Sequence, residues 1–366
     1  MALSTIPFSG LGADASKQGV NFRNLIINGD MSIAQRGTSV SSITSSGYRT
    51  MDRWNFATDL GTWTMSQETD VPTGQGFAKS LKLDCTTANA SPSAGNFLVL
   101  EQKIEGQMLQ HLKKGTSNAE SLTMSFWVKS SKTGTYICEL LDTDNSRQIS
   151  KAYTINSANT WEKKTLTYEG DTTGAFTNDN GESLRIDFWL GAGSTFTGGT
   201  LSTTWTATSN GDRVAGSVNL ADSTANDWYI TGVQLEVGTS ASDFEFLPYD
   251  VNRTRCLRYY EKLEFTSAYD TIFGGWVRNG SDMGAVWQYE TIKRANPTIG
   301  LSADNTYRIN TASGDHTNQS SGTSNTTKTR TQLGFARSAS LTSGQAGYIN
   351  MENGNGNAYF TADAEL

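Results

Sequence analysis

The sequence predicts an all-β protein: a jelly-roll β-sandwich followed by a second, smaller β-sandwich or hairpin-rich domain, with an extended N-terminal arm. Three observations predict it. Segments such as "SLTMSFWVKS" and "SLRIDFWLGAG" alternate apolar and polar residues with period two. Ser, Thr, Asn and Gly loops punctuate them, and 36 Gly against 5 Pro supply many tight turns. Hydrophobic residues make up only 36%, yet 9 Trp and 13 Tyr argue for real cores, which fits thin sandwiches whose strands expose one face.

Residues 1–23 are small, polar and Gly/Ser-containing, and read as the arm. They lack the basic start and long apolar run of a signal peptide, and no apolar run in the chain is long enough to cross a bilayer. The jelly roll is expected over 24–250. "LIINGDMSIAQRG" at 25–37 and "WYITGVQLEVG" at 228–238 are expected as its first and last strands, side by side and closing one core. Between them, Leu122, Met124, Phe126 and Val128 share one face of a strand, and Thr123, Ser125, Trp127 and Lys129 the other. Leu184, Ile186, Phe188 and Leu190 likewise oppose Arg185, Asp187 and Trp189. "TYICELLDTDNSRQ" reads as a strand entering an Asp/Asn turn, and "NTWEKKTLTYEGD" as a further strand.

Residues 251–262, "VNRTRCLRYYEK", place Leu257 and Tyr260 on one helical face and read as a short helix or linker. From 263 to 366, short aromatic strands with N-G and G-G turns predict a C-terminal β knob. The polar stretch at 303–330 reads as a tip loop or an edge hairpin, and the loop from Ser302 to Lys328 as the better place for recognition. Trp276, Trp287, Tyr289 and Tyr307 are either a receptor-binding tip or core, and aromatics at strand spacing are more often core.

The net charge is −7 with no Lys/Arg-rich cluster, which disfavours binding to nucleic-acid phosphates. Cys85, Cys138 and Cys256 are too few and too scattered for a disulfide framework or a metal knuckle, and are expected as buried thiols. Only two histidines occur, His111 and His316, neither in a recognisable nucleophile context, and there is no G-x-S-x-G elbow. Paired carboxylates remain as candidates, Asp187 with Glu139 or Glu236, but acidic residues on a wet strand face are commonly without catalytic role. No enzymatic activity is expected.

Eight segments occur in order: "NLIINGDMSIAQRG", "YRTMDRW", "VLEQKIEG", "LTMSFWVKSSKTGTY", "ANTWEKKTLTYEGD", "FWLGAGSTF", "WYITGVQLEVG" and "CLRYYEK". As a set they resemble a domain of bacteriophage tail-fibre and appendage proteins, one that is similar to jelly-roll carbohydrate-binding modules. The resemblance spans residues 24 to about 262. It implies a virion structural protein, a homotrimer, attached to other virion proteins through the N-terminal arm and binding host cell-surface polysaccharide. Tail and capsid locations are both open. Two other functions stay in view: a purely architectural capsid fibre or decoration protein, and a polysaccharide depolymerase, which needs two carboxylates about 5–10 Å apart in an open cleft.

If the strands pair as in a jelly roll, one face of one sheet is expected to collect Trp127, Glu139, Arg185, Asp187, Trp189 and Gln234, with Glu236. Indole stacks on the C–H face of a sugar, while carboxylate, amide and guanidinium groups bind its hydroxyls. The bland alternative is that "AQRG…DRW" or a neighbouring subunit covers this face, leaving Arg185 and Asp187 a satisfied buried pair. In "MDRW", Asp52 and an arginine, Arg36 or Arg53, are expected to lock a loop, with Trp54 a core plug. No cofactor is expected. The resemblance does imply a structural Ca²⁺ near the first and last strands, where Asn28, Asp30 and Glu236 are the matching neighbourhood. Against it, no D-x-D-x-D-G loop is present, and "NGDM" stands where an acidic residue commonly follows an aromatic one.

Overall fold

A computed structural model of the chain describes residues 22–265, 267, 269–338, 341–352 and 358–366. The expected arm, apart from its last two residues, lies outside them. Two compact units divide the chain, one reaching Asn252 and including Leu366, the other Arg253–Glu365.

The first unit contains β1 (Ser39–Ile43), β2 (Gly47–Tyr48), β3 (Asn55–Thr58), β4 (Thr62–Glu68), β5 (Ser80–Thr87), β6 (Phe97–Glu105), β7 (Leu122–Ser130), β8 (Gly134–Asp142), β9 (Arg147–Ile155), β10 (Glu162–Tyr168), β11 (Glu182–Ala192), β12 (Thr206–Ala207) and β13 (Asp227–Val237). A one-turn helix, α1 (Ser194–Thr197), precedes β12. The strands form a jelly-roll sandwich of two antiparallel sheets, β1-β4-β5-β13-β7-β10 and β12-β9-β8-β11-β6-β3-β2. The period-two segments do what their pattern dictates. Met124, Phe126 and Val128 of β7 meet Leu184, Ile186, Phe188 and Leu190 of β11 in one core. Trp54, Trp63 and Trp228 are fully buried there, and Phe126 and Phe188 pack edge to face at 5.1 Å.

The opening segment departs from expectation. Leu25–Met31 forms no strand, and the first strand among the described residues is β1. Leu25 N donates to Leu235 O of β13 in one sheet, while Ile27 N and O pair with the Gln102 side chain from β6 in the other. The segment therefore bridges the two sheets instead of extending one ladder. Asn24 assists by accepting from Leu235 N and donating to Val233 O. Its apolar side chains still enter the core: Ile26 and Met31 are buried.

The helix α2 (Tyr249–Leu257) lies within and just before the stretch read as helix or linker. The second unit follows with β14 (Tyr260–Phe265), β15 (Thr271–Asn279), β16 (Asp282–Gln288), β17 (Thr298–Leu301), β18 (Tyr307–Thr311), β19 (Gly314–Thr317), β20 (Ser320–Ser324), β21 (Arg330–Ala336), β22 (Ala346–Met351) and β23 (Ala358–Asp363). Its sheets are β14-β23-β17 and β19-β18-β22-β15-β16-β21-β20. The polar stretch is thus the edge hairpin, not a tip loop. β19 and β20 occupy opposite edges, yet only Asn318 and Gln319 separate them. Three Cα steps reach at most about 11 Å, whereas a flat seven-stranded sheet is about 29 Å wide. The sheet therefore curls until its edges nearly meet: Asn318 N still bonds Tyr307 O beside β18, while the next residue's Gln319 N already bonds Ala336 O of β21. Phe360 of the small sheet packs against Trp287, Tyr307 and Phe335. Trp287, Tyr289 and Tyr307 are core, and Trp276 is 43% exposed.

Candidate functional site

Strand register builds the outer face of the seven-stranded sheet row by row. One row aligns Asn55, Glu101, Asp187, Glu139 and Ser150 across five strands. The next aligns Ala57, Val99, Trp189, Ile137 and Ala152. A polar stripe therefore lies beside an apolar one, because each pair of neighbours is two residues apart on its strand.

The polar stripe is neutralised from within. Arg213, from the loop before β13, donates to Glu139 at 2.7–3.0 Å and to Asp187 at 3.1 Å. Arg185 donates to both oxygens of Asp187 at 2.9 and 3.0 Å and stands 3.5 Å from Glu101. Asn55 donates to Glu101, and the Trp189 indole to Glu139 at 2.8 Å. Burial pushes the Glu139 carboxyl above its ordinary range despite Arg213. Burial, and then the neighbouring Asp187, does the same to Glu101. Asp187 holds the Arg185 guanidinium above its usual value. Burial opposes the charge on Arg213, but Glu139 outweighs it and the net shift is upward.

A cleft of about 300 Å³ opens on this face, lined by Asn55, Phe97, Glu101, Arg185, Phe196 and Arg213 among others. Phe97 and Phe196 are half-buried. Asn55 is nine-tenths buried, and its carbonyl oxygen has no hydrogen-bond partner.

The expected site residues do not share one face. Glu139, Arg185, Asp187 and Trp189 lie on the seven-stranded sheet, but Trp127 and Gln234 lie on the outer face of the six-stranded sheet, with Glu236. Alternation tells inward from outward; it does not tell which of two sheets a strand joins. Trp189 also departs from expectation. It is 3% exposed, packed at 5.3 Å against Phe196 and beneath the Arg213 guanidinium. The cover is the 193–214 segment, with α1 and β12 in it, not "AQRG…DRW". Gln234 is fully buried. Its amide donates to Glu236 and Ser242 and accepts from Glu245 N, so it anchors a loop. Trp127 alone of the two is half-exposed.

Asn28, Asp30 and Glu236 do not fit a calcium site. The Asn28 amide is spent on the backbone of Ile33 and Asp52. Asp30 accepts from Ser32 and Asn252. Glu236 accepts from Ser242 and Gln234. Among the described residues no cluster of three His, Cys, Asp or Glu side chains is placed to hold a metal. In "MDRW", Asp52 accepts from Gln35 N at 3.0 Å, and Trp54 is the core plug, its indole donating to Asn28 O. All three cysteines are buried, and none is in a disulfide.

Glu101 was within reach of sequence: in "FLVLEQKIE", Val99, Glu101 and Lys103 alternate against Leu98, Leu100 and Ile104. Arg213 and Phe196 carry no periodic signal: Arg213 comes from a loop, and Phe196 from the one-turn α1, which is too short to show a period.

No protein-family model matches the sequence, and no curated protein matches it. Among solved structures the chain is similar to the enzymatically active domain of tailspike protein 4 of bacteriophage CBA120, with 17% identity over 59% of this chain and a TM-score of 0.32. The match spans 22% of the tailspike chain. It is also similar to TmCBM61 in complex with β-1,4-galactotriose, with 11% identity over 60% of this chain and 99% of that one, TM-score 0.29. A third is the family 11 carbohydrate-binding module of a cellulosomal cellulase of Clostridium thermocellum, with 10% identity over 55% and 99%, TM-score 0.26.

Proposed function

We propose that this chain is a non-catalytic appendage protein of a phage virion, whose jelly roll binds host-surface saccharide in the cleft of the seven-stranded sheet. One observation carries the binding function: the cleft sets the apolar rings of Phe97 and Phe196 beside the Arg185 guanidinium. A sugar needs both, a surface for its C–H face and directional partners for its hydroxyls. Absence of catalysis is supported by the same network. Glu139, Asp187 and Glu101 are each held by a guanidinium or amide, which leaves no carboxylate of the row free as a nucleophile. The eight ordered segments support the appendage setting and, with it, a homotrimer docked by its N-terminal arm. Three modest sites on one rigid trimer would act by avidity.

The architectural alternative has its own support: Trp189 is covered by its own chain and the charges around it are mutually satisfied. A polysaccharide array probed with the full-length protein and its Phe196→Ala variant separates the two. Binding that weakens about tenfold in the variant supports the cleft; no binding by the folded protein supports architecture. Release of reducing ends from a bound polysaccharide would overturn the non-catalytic assignment.

A further inference from the structure

We infer that the outer face of the six-stranded sheet carries a second binding pocket, shaped for a neutral pyranose ring. It extends the saccharide-binding function to residues unconnected with the first cleft. The pocket holds about 320 Å³, the lower end of the range for small-ligand sites.

Its construction begins with an irregularity in β13. The register against β7 shifts between Thr231 and Gln234, and Gly232 adopts φ 62°. A Cβ on Gly232 would stand 2.5 Å from the Phe77 ring. Only glycine lets that ring settle on the strand. Phe77 then packs with Phe244 and Phe246, their centroids 4.9–5.1 Å apart. The segment carrying Phe244 and Phe246 is pinned by the Gln234 and Glu236 contacts to Ser242 and Glu245 already described. Phe246 stays 52% exposed. An aromatic wall is thus fixed in place with one ring open to solvent.

Across from it stand Trp127 and Lys163, directly paired between β7 and β10, with Gln75 and Asp243 also lining the pocket. Among the described residues, the Trp127 indole N–H, the Lys163 ammonium, the Gln75 amide and the Asp243 carboxylate have no hydrogen-bond or ion-pair partner. Four polar groups and an aromatic wall therefore converge on one space, with no described residue to satisfy them.

The charges select the ligand. An anion would meet Asp243, and a cation would meet Lys163. A neutral ring whose hydroxyls both donate and accept meets both residues favourably, and its C–H face suits Trp127 and Phe246.

The test is saturation-transfer NMR on the full-length protein with the methyl pyranosides of glucose, galactose, mannose and N-acetylglucosamine. At least one should receive transfer at its ring C–H protons. Its affinity should fall about tenfold in Phe246→Ser and in Trp127→Ala, and hold in Phe196→Ala. Phe246 is exposed, so its variant keeps the fold and remains decisive if Trp127→Ala unfolds. No transfer from any glycoside, or transfer insensitive to Phe246→Ser, overturns the pocket. If only Phe196→Ala abolishes binding, the first cleft stands and this pocket falls; if only Phe246→Ser does, the reverse holds.

Discussion

The two outer faces of the jelly roll come from strands of the same alternating type, yet they end in opposite electrostatic states. On the seven-stranded sheet, Glu101, Asp187 and Glu139 lie in one row and find Arg185 and Arg213 within hydrogen-bond reach. On the six-stranded sheet, Lys163 and Asp243 border a pocket without partners among the described residues. The difference lies in what each sheet's covering loop contributes. The 193–214 segment delivers a guanidinium into hydrogen-bond contact with buried carboxylates; the 242–246 segment delivers phenyl rings and an Asp243 carboxylate that lines the pocket without pairing with Lys163. A closed network holds a fold together, whereas open groups at an aromatic wall are available to a ligand.

The largest effect should come from breaking the closed face. Arg213→Ala leaves Glu139 and Asp187 buried with fewer partners and should destabilise the first unit by about 3–5 kcal/mol in urea unfolding. Lys163→Ala on the open face should stay within about 0.5 kcal/mol of the parent. Equal losses in the two variants would erase the distinction. Trp189→Ala belongs with the first kind: it removes a buried ring, so any loss of binding in it reports on folding before recognition.

Gly232→Ala should come next, at about 1–3 kcal/mol, since it forces a side chain into the left-handed region and against Phe77. Thermal unfolding measures the loss. A variant as stable as the parent would show that the Phe77 ring is not seated as the structure has it.

Acidity should distinguish the closed carboxylate network from a strand-end contact most finely, because the shifts have opposite sign. Glu162, at the start of β10, is held down to about 2: burial works against this, but Lys164, Asn156 and Ser157 outweigh it. Its contribution is present above 4.5 and lost as pH falls through about 2. Glu101 is raised, so its contribution is present below 4.5 and lost as pH rises through its elevated value. Glu162→Gln should therefore flatten the acid loss, by about 1 kcal/mol after solvent screening. Glu101→Gln should gain on the parent as pH rises. Equilibrium unfolding at a series of pH values reads both slopes, and slopes of the same sign would contradict the assignment.

Much of the sandwich was legible in the sequence. Leu122 to Lys129 and Leu184 to Leu190 alternate with the period of a strand, and that period alone sends Phe126 and Phe188 inward and Trp127 and Asp187 outward. The candidate site was legible only in part. Four of its six residues do meet on one face, but Trp127 and Gln234 sit on the other sheet. Nothing local distinguishes a strand of one sheet from a strand of its partner. Leu25–Met31 misleads for a related reason: its apolar residues are buried as their hydropathy demands, but their backbone partners are the Gln102 and Asn24 side chains and irregular bonds to β13.

By itself, then, the sequence determined the strands, their inner and outer sides, and the aromatic residues that fill two cores. Those properties follow from local periodicity and from the transfer of apolar surface out of water. Tertiary structure alone decided which strands became neighbours, that Arg213 and Phe196 cover Trp189, and that Phe77, Phe244 and Phe246 assemble over Gly232. Apart from Phe196 on Trp189 and Phe244 beside Phe246, these contacts join residues from about ten to more than a hundred positions apart, where closure of the whole sandwich, and no local rule, sets who meets whom.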